Sequence, residues 1–268
     1  TPVNDEPSQT LRSVPDVDED VVQQSVANFV TNKTRGGGSD ENSQTLSFAL
    51  TNSNPSLFSV QPALAADGTG ALTYTPAPNQ FGIATVTSTL TDNGNASPPP
   101  NDNTVTNDFT ISVTAVNDAP VLTTSGGFLT NPSGNNFTAR DNFTTILEDP
   151  ATNNGDAVST FLNAAATTDV EGTTTTGIAV TSVTNTNGDW QFSTDGTNFS
   201  NFAGSTTSAL LLDGANANHK VRFVPDGDFN GTATIKYRAW DKTTGTIGAN
   251  ANTTSTGSAT AFSSGEVT

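Results

Sequence analysis

From Gly82 to Asp92 the chain alternates, with Ala84, Val86, Ser88 and Leu90 at every second position and threonines between most of them. A period of two predicts a β-strand with one face turned to a core. The same phrase returns further on, with Ala233, Ile235, Tyr237 and Ala239 on the equivalent face. Around these positions "LTYTPAPNQFGIATVTSTLTD" (72–92) runs in constant register with "VRFVPDGDFNGTATIKYRAWD" (221–241). Leu72 answers Val221, Tyr74 Phe223, Pro76 Pro225, Gly82 Gly231, Val86 Ile235 and Asp92 Asp241. Upstream, Asp18-Glu19-Asp20 lies opposite Leu147-Glu148-Asp149, and Asp40-Glu41-Asn42 opposite Asp169-Val170-Glu171, at a different constant shift. The change of shift predicts an insertion between Gly172 and Lys220, part of it "DWQFSTDGTNFSNF" (189–202), a strand, an Asp-Gly turn and a second strand. The chain therefore reads as two copies of one β unit.

A boundary is written between the copies. "ISVTAVNDAPV" (111–121) begins as a strand and ends in Asn117-Asp118-Ala119-Pro120, where proline has no N–H for a ladder. Nearly the same hinge, Val3-Asn4-Asp5-Glu6-Pro7, opens the chain. The expected domains are 1–118, with the preceding hinge at 3–7, and 119–268. Segments such as Gly36-Gly37-Gly38, Asp92-Asn93-Gly94 and Pro98-Pro99-Pro100 punctuate short strands, which predicts an all-β fold of two sandwiches. Only "DAVSTFLNAAAT" (156–167) hints at a turn or two of helix. The last strand of copy two is expected to be incomplete at Glu266-Val267-Thr268, as in a piece of a longer array.

Composition narrows the function. Hydrophobic residues make up 32%, which suits sheets buried on one face better than a helical bundle. The net charge of −17 makes nucleic acid and anionic membranes poor partners, because phosphate contacts need clustered Lys and Arg. There is no cysteine, so no disulfide and no thiolate chemistry. No apolar run is long enough to span a membrane, and no signal peptide is visible. The acids gather at strand ends and loops: Asp18-Glu19-Asp20, Asp40-Glu41, Asp92 and Asn117-Asp118 in copy one, then Glu148-Asp149, Asp169-Val170-Glu171 and Asp241. Carboxylates this close repel unless a cation lies between them. Calcium, with six to eight oxygen ligands in flexible geometry, suits them; zinc would want Cys or His. The bland alternative is that Asn-Asp-Ala-Pro is a β-turn with Asx hydrogen bonds. Asp226-Gly227-Asp228-Phe229-Asn230-Gly231 begins like an EF-hand loop, but Tyr237 stands where the bidentate Glu belongs, and a plain turn is expected.

The hinge resembles the inter-domain linker of cadherins. The wider pattern of "LSFALTNSN", "LTYTPAP", "VTAVNDAP" and "NGTATI…AWD" is similar to the bacterial cadherin-like tandem repeats of large secreted adhesins, over nearly the whole chain. That resemblance implies tandem cadherin-like or Ig-like Greek-key sandwiches and calcium (Ca2+) at the junction, held by Glu19, Asp20, Asn117, Asp118, Asp169, Glu171 and Asp241. By the same resemblance Asn4, Asp5, Asp40, Asn42 and Asp92 would form half of a further site. The sequence departs from the pattern where Ala115 and Pro2 replace the first linker acid, and where Asn79-Gln80 stand in place of the mid-domain Asp-x-Glu. The implied protein is an extracellular or cell-surface spacer rod whose partners are neighbouring repeats of its own chain, with no nucleic acid and no membrane insertion. Two alternatives stay open: a filament or surface layer in which identical chains pair by strands or end to end, and a carbohydrate-binding accessory module.

No catalytic constellation is expected. The single His219 precedes a strand with no nucleophile fixed near it in sequence, and reads as a surface residue. The glycine-rich "RGGGSDE" lacks the Lys-Ser/Thr of a phosphate loop. Trp190 and Trp240 could stack on a sugar, but packing is the commoner role for a single tryptophan in each place.

Overall fold

The computed structural model describes residues 4–65, 69–94, 103–122, 129–130, 136–137, 143–162, 167–172 and 177–268. It is all-β, and the chain divides into two compact units, Thr1–Val116 and Asn117–Thr268. Among the described residues no helix is long and apolar enough to cross a membrane.

Unit 1 contains β1 (Ser8–Leu11), β2 (Val17–Asp18), β3 (Gln24–Val26), β4 (Val30–Thr34), β5 (Leu46–Asn52), β6 (Phe58–Leu64), β7 (Leu72–Pro76), β8 (Gly82–Asp92) and β9 (Thr104–Thr114). One sheet has the order β2-β9-β8-β5 and a second β3-β7-β6, while β1 pairs with β4. The alternation of β8 is realised on the buried side, where Ala84, Val86, Ser88 and Leu90 are all solvent-inaccessible. Ala84, Val86 and Ile111 from the first sheet pack with Leu72, Tyr74 and Phe58 from the second, so the core lies between the two layers. The long β8–β9 pair runs in unbroken register from Gly82↔Val113 to Thr91↔Thr104.

Unit 2 contains β10 (Val121–Leu122), β11 (Leu129–Thr130), β12 (Asn136–Phe137), β13 (Asp156–Ala157), the single turn α1 (Val158–Phe161), β14 (Thr167–Thr168), β15 (Gly177–Val183), β16 (Gly188–Ser193), β17 (Ser200–Asn201), β18 (Ala209–Asp213), β19 (Lys220–Pro225), β20 (Ile235–Trp240) and β21 (Asn250–Ala251). Its two large sheets are ordered β13-β19-β16-β17 and β20-β15-β18-β21. The helix expected within 156–167 is that one turn, and residues 163–166 of the stretch lie outside the described residues, as does the Pro98-Pro99-Pro100 turn. Pairing repeats that of unit 1: β5 with β8 and β6 with β7 there, β15 with β20 and β16 with β19 here. The inserted hairpin is present, with Gln191↔Asn201 and Phe192↔Ser200 joining β16 to β17. The C-terminal segment meets β20 at two bridges, Tyr237↔Val267 and Trp240↔Phe262.

The sheet containing β15 and β18 is covered on both faces. Ile178, Val180, Leu210 and Leu212 face the main core beside Trp190, while Ala179, Leu211 and Trp240 pack on the other face under Ala261 and Phe262. This is why Ala209–Leu212 is an unbroken apolar run rather than an alternating one. It also fixes the tryptophans: Trp190 is 2% exposed and Trp240 1%, so neither can stack on a sugar. Their indole N–H groups are spent on the carbonyls of Thr184 and Thr244. Asp226–Gly231 is a turn, closed by the Phe229 amide on the Asp226 carbonyl.

Candidate cation site

The hinge of unit 2 is positioned by a very short ladder. Val121 and Leu122 pair with Thr168 and Thr167, which places the turn that starts at Asp169 beside the residues preceding Pro120. The Asp118 amide donates to Glu171 Oε1 at 3.2 Å, and the Glu171 amide donates to Asp169 Oδ1 at 3.2 Å. Asp241 arrives from the end of β20. Its Oδ2 accepts from Asn117 Nδ2 at 3.0 Å, its Oδ1 accepts from the amide and hydroxyl of Thr243, and it is itself buried. The Asn117 side chain also donates to the Thr260 carbonyl, and the Ala119 amide to that of Ser258. Asn117, Asp118, Asp169, Glu171 and Asp241 thus share one rim of unit 2.

The electrostatics of that rim are unfavourable for bare carboxylates. Burial, helped by the hydrogen bond and the charge of Asp169, pushes the Glu171 carboxyl above its usual range, and the amides of Glu171 and Asp118 reverse this only in part. Glu171 Oε2 is buried, and no hydrogen-bond donor reaches it among the described residues. A buried anionic oxygen without a donor or a cation is costly. The ligand set, carboxylates plus an amide and backbone carbonyls, is hard oxygen throughout and fits calcium or magnesium rather than a thiophilic metal.

In unit 1, Glu19 and Asp20 part company. Strand β2 runs parallel to β9, Asp18 opposite Thr114, and the Glu19 amide donates to the Thr114 carbonyl. Glu19 is 2% exposed; its Oε1 accepts the Val116 amide at 2.9 Å, and its Oε2 is met by no hydrogen-bond donor among the described residues. Asp20 adopts a left-handed φ of 60°, is exposed, and accepts from the Asn79 amide instead.

The opening hinge of unit 1 repeats the construction. Asn4 Oδ1 accepts from Gln44 Nε2 at 2.7 Å, and Asp92 Oδ1 accepts the Gly94 amide at 2.8 Å. In Asp40-Glu41-Asn42 the buried residue is not one of those expected to be ligands. Asp40 and Asn42 are exposed, whereas Glu41, inside the 3-10 turn Ser39–Ser43, is 4% exposed and has an oxygen that no donor reaches among the described residues. Three consecutive polar residues carry no signal of which one a single helical turn will bury, so sequence comparison did not single out Glu41.

His219 is also corrected, from surface residue to one that is 4% exposed. The turn from Asn216 folds it back so that its Nδ1 accepts the Asp213 amide at 2.9 Å. No family model matches the chain, and no curated protein and no solved structure matches it.

Proposed function

We propose that this chain is a pair of tandem cadherin-like β-sandwich repeats from an extracellular or cell-surface protein, and that calcium taken up at the hinge stiffens it as a spacer. The observation that carries the reading is the hinge rim of unit 2, where the Glu171 carboxyl is pushed above its usual range and one of its oxygens is buried with no donor reaching it among the described residues, beside Asp118 and Asp169. Within unit 1, Glu19 is likewise buried and holds the amide of Val116. The shared pairing of β5, β6, β7 and β8 with β15, β16, β19 and β20 supports tandem repeats of Greek-key type. Without the ion, like charges oppose one another on this rim; with it, the same oxygens become ligands.

Thermal unfolding in calcium and in chelator tests this. An ion bound only by the native state must stabilise it, by about 2.7 kcal/mol at a hundredfold excess over Kd. A calcium-dependent rise in Tm of roughly 5–11 °C is expected for a unit of this size at that excess. It should shrink in Asp118→Ala and in Glu171→Gln. Identical melts with and without calcium would remove the metal from the account and leave the hinge a turn.

A further inference from the structure

Unit 2 has two excursions without counterparts of similar length in unit 1. Where β6 passes to β7 through residues 65–71, β16 reaches β19 only after β17 and β18. Where β8 passes to β9 through residues 93–103, β20 is followed by β21 before the chain returns to the sheet at Phe262. The additions extend both sheets, β17 beside β16, β18 beside β15, and β21 beside β18.

The two excursions meet along β18 and β21 and border an open, shallow groove of about 420 Å³. Phe192 and Phe202 line it with rings edge to face, centroids 5.8 Å apart. Around them stand Asn201, Ser205, Ser208 and Asn250. Gly204 holds the wall in place: a Cβ there would lie 2.9 Å from the Val180 carbonyl oxygen and the Ser182 amide nitrogen, where the β15–β20 register slips. Only a residue without a side chain can seat the backbone so closely.

None of the lining residues is ionisable, although the chain carries 26 acids and 9 bases. An anionic ligand would lose hydration there without gaining a counter-charge. Amides and hydroxyls both donate and accept, as the hydroxyls of a neutral sugar require. Some are already oriented: Asn250 Nδ2 donates to Ser208 Oγ at 2.8 Å, which leaves its carbonyl oxygen accepting no bond among the described residues, and Asn201 is held by Gln191 and Asp189. Phe192 and Phe202, which also pack against the core of unit 2, supply the apolar part of the lining against which the C–H side of a pyranose can rest. A docking peptide strand is less well served, because β17 and β21 are two residues long and offer little ladder to extend.

We infer that this groove binds the end of a neutral saccharide chain, one or two rings deep. It is independent of the hinge and of calcium. The test is a titration of the 15N-labelled full chain with cellotriose, maltotriose and mannotriose, and with trigalacturonate as an anionic control, in calcium and again in chelator. At least one neutral trisaccharide should shift the amides of residues 201–205 and 248–250, with a Kd on the order of 0.1–10 mM. Trigalacturonate should not. Phe202→Ala and Asn250→Ala should each weaken binding about tenfold. Asn250 is exposed, so its variant keeps the test decisive if Phe202→Ala fails to fold. The inference is overturned if no neutral sugar shifts these amides at about 10 mM, if Asn250→Ala leaves the shifts unchanged, or if a short Ser/Thr-rich peptide moves them and the sugars do not. A failure of the calcium proposal would show in the melts and leave these shifts untouched.

Discussion

Asp213 shows how one residue ties a loop into unit 2. Burial alone would raise its carboxyl pKa, but the Ala215 amide, the Lys242 ammonium at 2.9 Å and the nearby His219 ring together lower it. A carboxyl lowered in the folded state contributes stability that is present above its unfolded value of about 3.9 and is lost as pH falls through the lower folded value. Asp213→Asn should therefore cost about 1 kcal/mol near neutral pH, as a partly screened pair does, and the gap from wild type should close on acidification below about pH 4. Urea unfolding at stepped pH measures it; a gap that stays constant would mean the charge has no part in the cost. The neighbouring His219 shows what the sequence could not reveal. Its burial depends on a turn that folds the ring under the Asp213 amide, and nothing in "NANHKVRF" distinguishes that from an exposed strand start.

Among elements, the β16–β17 turn is the most strongly wired. Asp195 accepts the amides of Thr197 and Asn198 at 2.8 and 2.7 Å, the Asn198 side-chain amide at 2.6 Å, and the hydroxyls of Ser193 and Thr197. These donors, Asn198 first, hold its carboxyl far below the usual range, and Gly196 supplies the positive φ of 82° that the turn needs. Asp195→Ala should speed amide exchange at Thr197, Asn198 and Asn201 at least tenfold while the β15–β20 ladder stays protected. Unchanged exchange would show that the cross-strand pairs alone hold β17. This hairpin was legible because an Asp-Gly turn between alternating residues is local chemistry, and β8 was legible because eleven residues carry a clear period. Two-residue strands such as β10, β14 and β21 have no period to read. They exist through their partners, and sequence gives no access to them. The run Ala209–Leu212 is ambiguous for the opposite reason: with both faces covered, helix and strand look alike over four apolar residues.

At the scale of the whole chain, repetition was the strongest signal, because Asn-Asp-x-Pro hinges and paired strands recur together. Which acid copy one turns inward was not, as Glu41 shows. Its burial is decided by the 3-10 turn Ser39–Ser43. The proposed role makes a demand on motion that stability measurements do not reach. If calcium stiffens the hinge, 15N relaxation in chelator should give the two units separate rotational correlation times, with fast motion at residues 115–119. In calcium the two values should converge and the hinge amides should become as ordered as those of β8 and β20. Glu171→Gln weakens the ligand set without removing the hydrogen-bond acceptor for the Asp118 amide, so it should need more calcium for the same convergence. A Tm that rises with calcium while the hinge stays as mobile as in chelator would separate the two halves of the proposal: the ion would stabilise unit 2, and the spacer would remain jointed.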